Sequence, residues 1–141
     1  MSLRAFLDAN ILFTAAYNPK GLARLLFDFQ KRKAVSLLTS SLAVEEARIN
    51  LEIKKAAALD DLGKLVETLE VIETPAPFSA TLDLPPKDLA IFAAALAGRA
   101  THLLTGDKKH FGRYFNNPSR TGGITVQTVR EFFVENFALK D

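Results

Sequence analysis

Leu3-Arg4-Ala5-Phe6-Leu7-Asp8-Ala9-Asn10, at the head of the chain, decides the fold. An apolar run that stops at an acid reads as a buried strand, here Arg4–Leu7, whose end delivers Asp8 to one edge of a sheet. The pattern returns in His102-Leu103-Leu104-Thr105-Gly106-Asp107, a second strand ending close to a second acid. Open α/β sheets bind ligands at the carboxyl ends of their strands. Glu46 and Asp88 add two more acids, each at a predicted helix. Two like charges about 5 Å apart repel by about 3 kcal/mol at an effective dielectric of about 20. Carboxylates gathered at such an edge share a proton, shift their pKa values or hold a cation. The four read as a divalent-metal site.

Outward from these stretches, strands alternate with helices. Ile11-Leu12-Phe13 continues as a helix or turn, and Asn18-Pro19-Lys20-Gly21 is a loop. Leu22, Leu25, Leu26 and Phe29 recur at helical spacing. Ala34–Thr39 is a strand, with Thr39-Ser40-Ser41 supplying hydroxyls to cap the next helix. Leu59, Leu62, Leu65, Val66 and Leu69 predict a helix weakened at Gly63, and Glu70–Thr74 predicts a strand. The proline-interrupted stretch from Pro75 to Pro86 reads as an ordered loop over one edge. A helix follows from Asp88 to Gly98, then the strand at His102, a last strand at Ile124-Thr125-Val126 and a closing helix carrying Val129, Phe132, Phe133 and Phe137. Such alternation implies a parallel sheet covered by helices on both faces. Phe6, Phe27, Phe29, Phe92, Phe132, Phe133 and Phe137 fall at core periodicity, whereas Tyr17, Phe111 and Tyr114 fall in loops where they could stack on bases.

Glu46 is chosen over Glu45 by helical phase. At about 100° per residue, Leu42, Glu46, Ile49 and Ile53 lie within roughly 60° of one another. Glu46 is expected at the centre of a buried apolar stripe, where an acid needs a partner.

Composition narrows the chemistry. The 141 residues suit a single domain, residues 1–141, with 24% charged and 48% apolar. The absence of cysteine excludes disulfides, thiolate metal sites and cysteine nucleophiles. With only His102 and His110, a histidine-rich zinc site is not expected, and oxygen ligands favour magnesium or manganese. Met1-Ser2-Leu3-Arg4 lacks the features of a signal peptide, and no apolar stretch is long enough to span a membrane. The expectation is a cytoplasmic protein. The formal charge of +2 says little, but the cations cluster in Lys31-Arg32-Lys33, Lys54-Lys55 and Lys108-Lys109, joined by Arg113 and Arg120. The first two clusters also suit helix C-termini. Lys108, Lys109 and Arg113 follow Asp107 closely and are candidates to hold the phosphates of a polyanion.

Each acid alone has a plainer explanation. Asp88 and Asp107 could stabilise helix N-termini, Asp8 could cap the next turn and Glu46 could tilt out to solvent. His110 is expected to pack or cap its turn, and His102 to be structural. Taken in order, however, Leu7-Asp8-Ala9-Asn10, then Ser40 to Glu46 with Asn50-Leu51, then Lys87-Asp88 leading to Ala93-Ala94, then Leu104-Thr105-Gly106-Asp107-Lys108-Lys109-His110-Phe111 resembles a PIN-domain nuclease over nearly the whole chain. It is particularly similar to the short prokaryotic members, many of them toxins of toxin–antitoxin pairs.

The resemblance implies a three-layer α/β/α sandwich around a parallel sheet of about five strands. It implies an endoribonuclease using Mg2+ or Mn2+, with Asp8, Glu46, Asp88 and Asp107 as catalytic metal ligands and Asn10 and Thr105 as supporting polar groups. The implied partners are RNA, an antitoxin protein and a second copy of the chain. Phosphodiester hydrolysis suits the residues, because a bound divalent cation supplies both a nucleophile at neutral pH and charge neutralisation.

Three alternatives stand beside it. Phe6-Leu7-Asp8-Ala9-Asn10 also resembles the opening of a haloacid-dehalogenase-type phosphatase, but Asn10 stands where that family places its acid. A receiver domain would want adjacent acids after its first strand, and Asp60-Asp61 lies in a helix pattern. A PIN-like domain that only binds RNA or protein would need no acids at all.

Overall fold

The computed structural model describes residues 2–75 and 82–140, so residues 76–81 of the proline-interrupted loop lie outside the description. The strands are β1 (Arg4–Leu7), β2 (Ser36–Ser40), β3 (Glu70–Ile72), β4 (His102–Leu104) and β5 (Thr125–Gln127). The helices are α1 (Ala9–Tyr17), α2 (Leu22–Lys31), α3 (Ser41–Lys54), α4 (Leu59–Val66), α5 (Pro86–Ala97), α6 (Lys108–Phe111) and α7 (Val129–Phe137). All strand pairs are parallel, in the order β3-β2-β1-β4-β5. The α/β/α sandwich expected from the sequence is the fold found.

Connectivity follows from handedness. The steps from β1 to β2 to β3 move one way along the sheet, and right-handed crossovers put α1–α4 on one face, where they pack against one another. The return from β3 to β4 passes over β2 and β1, so α5 crosses the opposite face and contacts β2 and β3. Its close seating explains Gly98: a Cβ there would stand 2.5 Å from Leu38 Cδ1 and 3.1 Å from Ile72 Cγ1. On the first face α7 docks on α2, with Phe133 and Phe137 edge-on to Phe29 at 5.1 and 4.7 Å between ring centroids.

The chain reverses its direction of travel between β1 and β4, so the crevice at their carboxyl ends is the switch point of the sheet. Both strands are buried on both sides. Phe6, Leu7, Leu103 and Leu104 have no exposed surface, which explains apolar runs without alternation. Phe27, Phe92, Phe132 and Phe133 join them in the core, and Phe29 and Phe137 pack against it. His102 is buried edge-on to Phe132, a structural place as expected.

One expectation fails, and one option closes. The stripe on α3 is not its buried face: Leu42, Ile49 and Ile53 are 37, 45 and 77% exposed, while Ala43, Ala47 and Leu51 are buried. Alanines let α3 approach α1 closely, so contact distance and not hydrophobicity selects the inner face. Nor can Phe111 and Tyr114 stack on bases, because both are buried in the core. Tyr17 is exposed but lies stacked on Phe13 at the far end of α1, about 12 Å along the axis from Ala9. No helix among the described residues is long and apolar enough to cross a membrane.

Candidate metal centre

Asp8 stands where β1 becomes α1. Its Oδ1 accepts the Ala9 N–H at 2.7 Å, capping the helix, and it is only 4% exposed. The other oxygen, Oδ2, accepts from the Thr105 hydroxyl at 2.8 Å and from Asn10 Nδ2 at 3.2 Å. Thr105 is fully buried just past β4, and its Oγ1 in turn accepts from Asn10 Nδ2 and from the Asp107 N–H. Asn10 Oδ1 closes the set by accepting the Gly106 N–H at 2.9 Å. Asn10 and Thr105 therefore stitch the ends of the two central strands together and fix the direction of the Asp8 carboxylate.

Asp107 caps α6, with Oδ1 accepting the His110 N–H at 3.0 Å. Asp88 lies in the first turn of α5, reached after Pro85 and Pro86 have set that helix's start. The helix-capping and dipole roles anticipated for Asp8, Asp88 and Asp107 are real, and they do not compete with the site. They aim it.

Glu46 projects from α3 and pairs with Lys87, while Glu45 turns outward to Arg48 at 2.5 Å. The structure thus places Glu46 beside the other acids and Glu45 away from them, although the buried stripe argued for Glu46 does not exist.

The carboxylates feel one another. Burial pushes the Asp8 carboxyl up to about 6, with Asp88 and Glu46 adding to the rise and the Thr105 and Ala9 hydrogen bonds opposing it. Asp88 is also raised, first by burial and then by Asp107 and Glu46, against the opposing pull of His110 and Lys87. Carboxylates whose charge is this costly are neutralised by a proton or by a cation. Among the described residues, Asp88, Asp107 and His110 each offer a ligand atom within 4.8 Å of the others. Asp8 and Glu46 border it. This oxygen-rich set fits a divalent ion of the magnesium or manganese type.

Two residues of the site went unrecognised in the sequence. Lys87 pairs with Glu46, and His110 Nδ1 lies 2.8 Å from Asp107 Oδ2 and 3.1 Å from Asp88 Oδ2. The signal for His110 was its spacing, three residues after Asp107, which puts both on one face of a helical turn. Of the proposed phosphate contacts, Lys108 and Lys109 are exposed beside Asp107, and Arg113 is paired with Asp83 at 3.1 Å. The other basic clusters serve helix ends: Lys55 Nζ donates to the Tyr17 carbonyl at the end of α1, and Arg32 stacks on Phe29.

Comparison with known proteins agrees with this architecture. A family model described as a PIN domain matches residues 4–109. No curated protein matches the sequence. Among solved structures, VapBC2 from Rickettsia felis bound to a DNA fragment from their promoter superposes with a TM-score of 0.64 at 17% identity, over 89% of this chain and 98% of that one. VapBC-1 from nontypeable Haemophilus influenzae gives 0.54 at 16%, covering 91% and 99%. VapC20 of Mycobacterium tuberculosis, a toxin that cleaves the sarcin–ricin loop, gives 0.52 at 15%, covering 73% and 91%. At these identities the likeness is one of fold.

Proposed function

The chain belongs to the PIN domain family, and from that premise we propose that it is a divalent-metal-dependent endoribonuclease, acting as the toxin of a toxin–antitoxin pair. The observation that supports the reading is the convergence of Asp8, Glu46, Asp88 and Asp107 at the switch point of the sheet, where burial and, after it, neighbouring carboxylates raise the pKa of Asp8 and Asp88. The whole chain acts as one PIN-like nuclease domain, in the cytoplasm.

In this reading Asp8, Asp88 and Asp107 hold the ion directly and Glu46 completes its surroundings. When bound, the ion supplies a hydrolytic nucleophile at neutral pH and neutralises charge that builds on the phosphate. The remaining work falls to the protein. Thr105 and Asn10 hold Asp8 in one orientation, which keeps its outward lone pairs aimed into the crevice. Lys87 offsets the charge of Glu46, so the site stays approachable by a polyanion. Lys108 and Lys109 grip flanking phosphates as point charges, and Arg113 joins them by exchanging Asp83 for phosphate.

RNA is proposed as the substrate because the chemistry is phosphodiester hydrolysis and a toxin-type relative of this fold cleaves an RNA loop. An antitoxin and a second copy of the chain are proposed as protein partners, since VapBC pairs share the fold and the outer side of α3 exposes Leu42, Ile49 and Ile53.

The test is cleavage of an end-labelled, mixed-sequence single-stranded RNA by the purified free protein in magnesium, manganese or EDTA, beside Asp8→Asn. Cuts that need metal and vanish in the variant are expected. RNA bound but never cut, with no metal uptake by calorimetry, would replace this reading with that of a non-catalytic binding domain.

A further inference from the structure

We propose that His110 is a ligand of the bound ion, so that the centre has mixed nitrogen and oxygen donors and favours manganese over magnesium. The inference rests on the reading of Asp88 and Asp107 as metal-binding residues.

The geometry comes first. Adjacent ligands of an octahedral ion with bonds of about 2.1 Å stand about 3.0 Å apart. His110 Nδ1 is 2.8 Å from one oxygen of Asp107 and 3.1 Å from one of Asp88. In the metal-free fold the shorter contact is a hydrogen bond, and both separations leave the same atoms placed to turn onto one ion, with all three donors within 4.8 Å of one another. The ring is not there by accident of a flexible side chain. Asp107 fixes the backbone of His110 through Oδ1 while its Oδ2 faces the imidazole, so the same carboxylate sets both the turn and the ring.

The chemistry follows from donor type. Imidazole nitrogen suits first-row transition ions, whereas magnesium demands oxygen and gives up its water reluctantly. A nitrogen donor therefore raises affinity for manganese more than for magnesium. His102, the other histidine of the chain, begins β4 at the opposite edge of the sheet and is buried against Phe132, so a nitrogen signal at the ion has a single histidine as its source.

The experiment titrates the free protein with Mn2+ followed by electron paramagnetic resonance, with the electron-spin-echo envelope recorded on the bound ion. Wild type is expected to bind Mn2+ and show imidazole nitrogen modulation. His110→Ala should lose that modulation and bind Mn2+ about tenfold more weakly or worse. His110→Gln, which offers an oxygen in its place, should keep binding but lose the modulation and shift towards Mg2+ in competition. Circular dichroism on both variants checks the fold. Modulation absent from Mn2+-loaded wild type, or surviving in His110→Ala, overturns the assignment and leaves the acid site standing. Failure of wild type to bind Mn2+ at all overturns the acid site as well.

Discussion

Asp8 carries the strongest electrostatic cost in the site, and its sign makes a prediction. Its carboxyl titrates near 6 in the metal-free fold against 3.8 when exposed. A raised pKa means that the protonated form is stabilised by folding. That contribution is complete below about pH 4, fades as pH rises and is gone above about pH 6, a loss on the order of 3 kcal/mol. Asp8→Asn cannot titrate, so in chelator the variant should gain on wild type between pH 4 and 6 and keep a constant advantage above. Urea melts across that range would show this; a difference independent of pH would mean that Asp8 is not desolvated. A second residue-scale comparison separates neighbours. Glu46→Gln should cut turnover by about 100-fold, as loss of one preorganised charge does, while Glu45→Gln should leave it unchanged because Glu45 only meets Arg48 on the surface. Equal losses in single-turnover RNA cleavage would contradict the placement. Asp8, Asp88 and Asp107 were legible in the sequence because each ends a strand or opens a helix, whereas Glu46, in the second turn of α3, was picked by a buried stripe that is not there. His110 was not, since its spacing of three residues from Asp107 carries meaning only once Asp107 is known to open a helical turn.

At the scale of elements, the sequence was clear where burial is two-sided and ambiguous where it is one-sided. β1 and β4 are apolar because helices cover both faces, so their runs and terminal acids could be read directly. α1 announced itself poorly, because its inner face is largely alanine and its cap is a site residue. α3 misled for a related reason. A helix with alanines on one side and Leu42, Ile49 and Ile53 on another offers two candidate inner faces, and only the closeness of α1 decides between them. What remains outward is an apolar strip on a charged helix, which is the proposed contact with a second copy. Ile49→Asp should convert a dimer to a monomer by light scattering, while costing the monomer no more than about 0.5 kcal/mol of folding stability. An unchanged mass would remove α3 from the interface.

Across the whole molecule, every strand pairing is parallel and therefore joins residues far apart in the chain. A protein ending at residue 100 lacks β4 and β5, leaving β1 with an open edge where the sheet should be most buried. Such a fragment should show no cooperative melt by circular dichroism and take up no Mn2+; a folded, metal-binding fragment would show that β2 and β3 suffice as a scaffold. The hydrogen bond between Thr105 and Asp8 spans 97 positions. At about 5–20 residues per second of synthesis, the second half of the acid cluster emerges roughly 5–20 s after the first. Until then the nascent chain holds Asp8 without the Thr105 hydroxyl that fixes its direction. A polypeptide still tethered to its ribosome therefore lacks the joined strand ends that fix the Asp8 carboxylate through most of each round of synthesis.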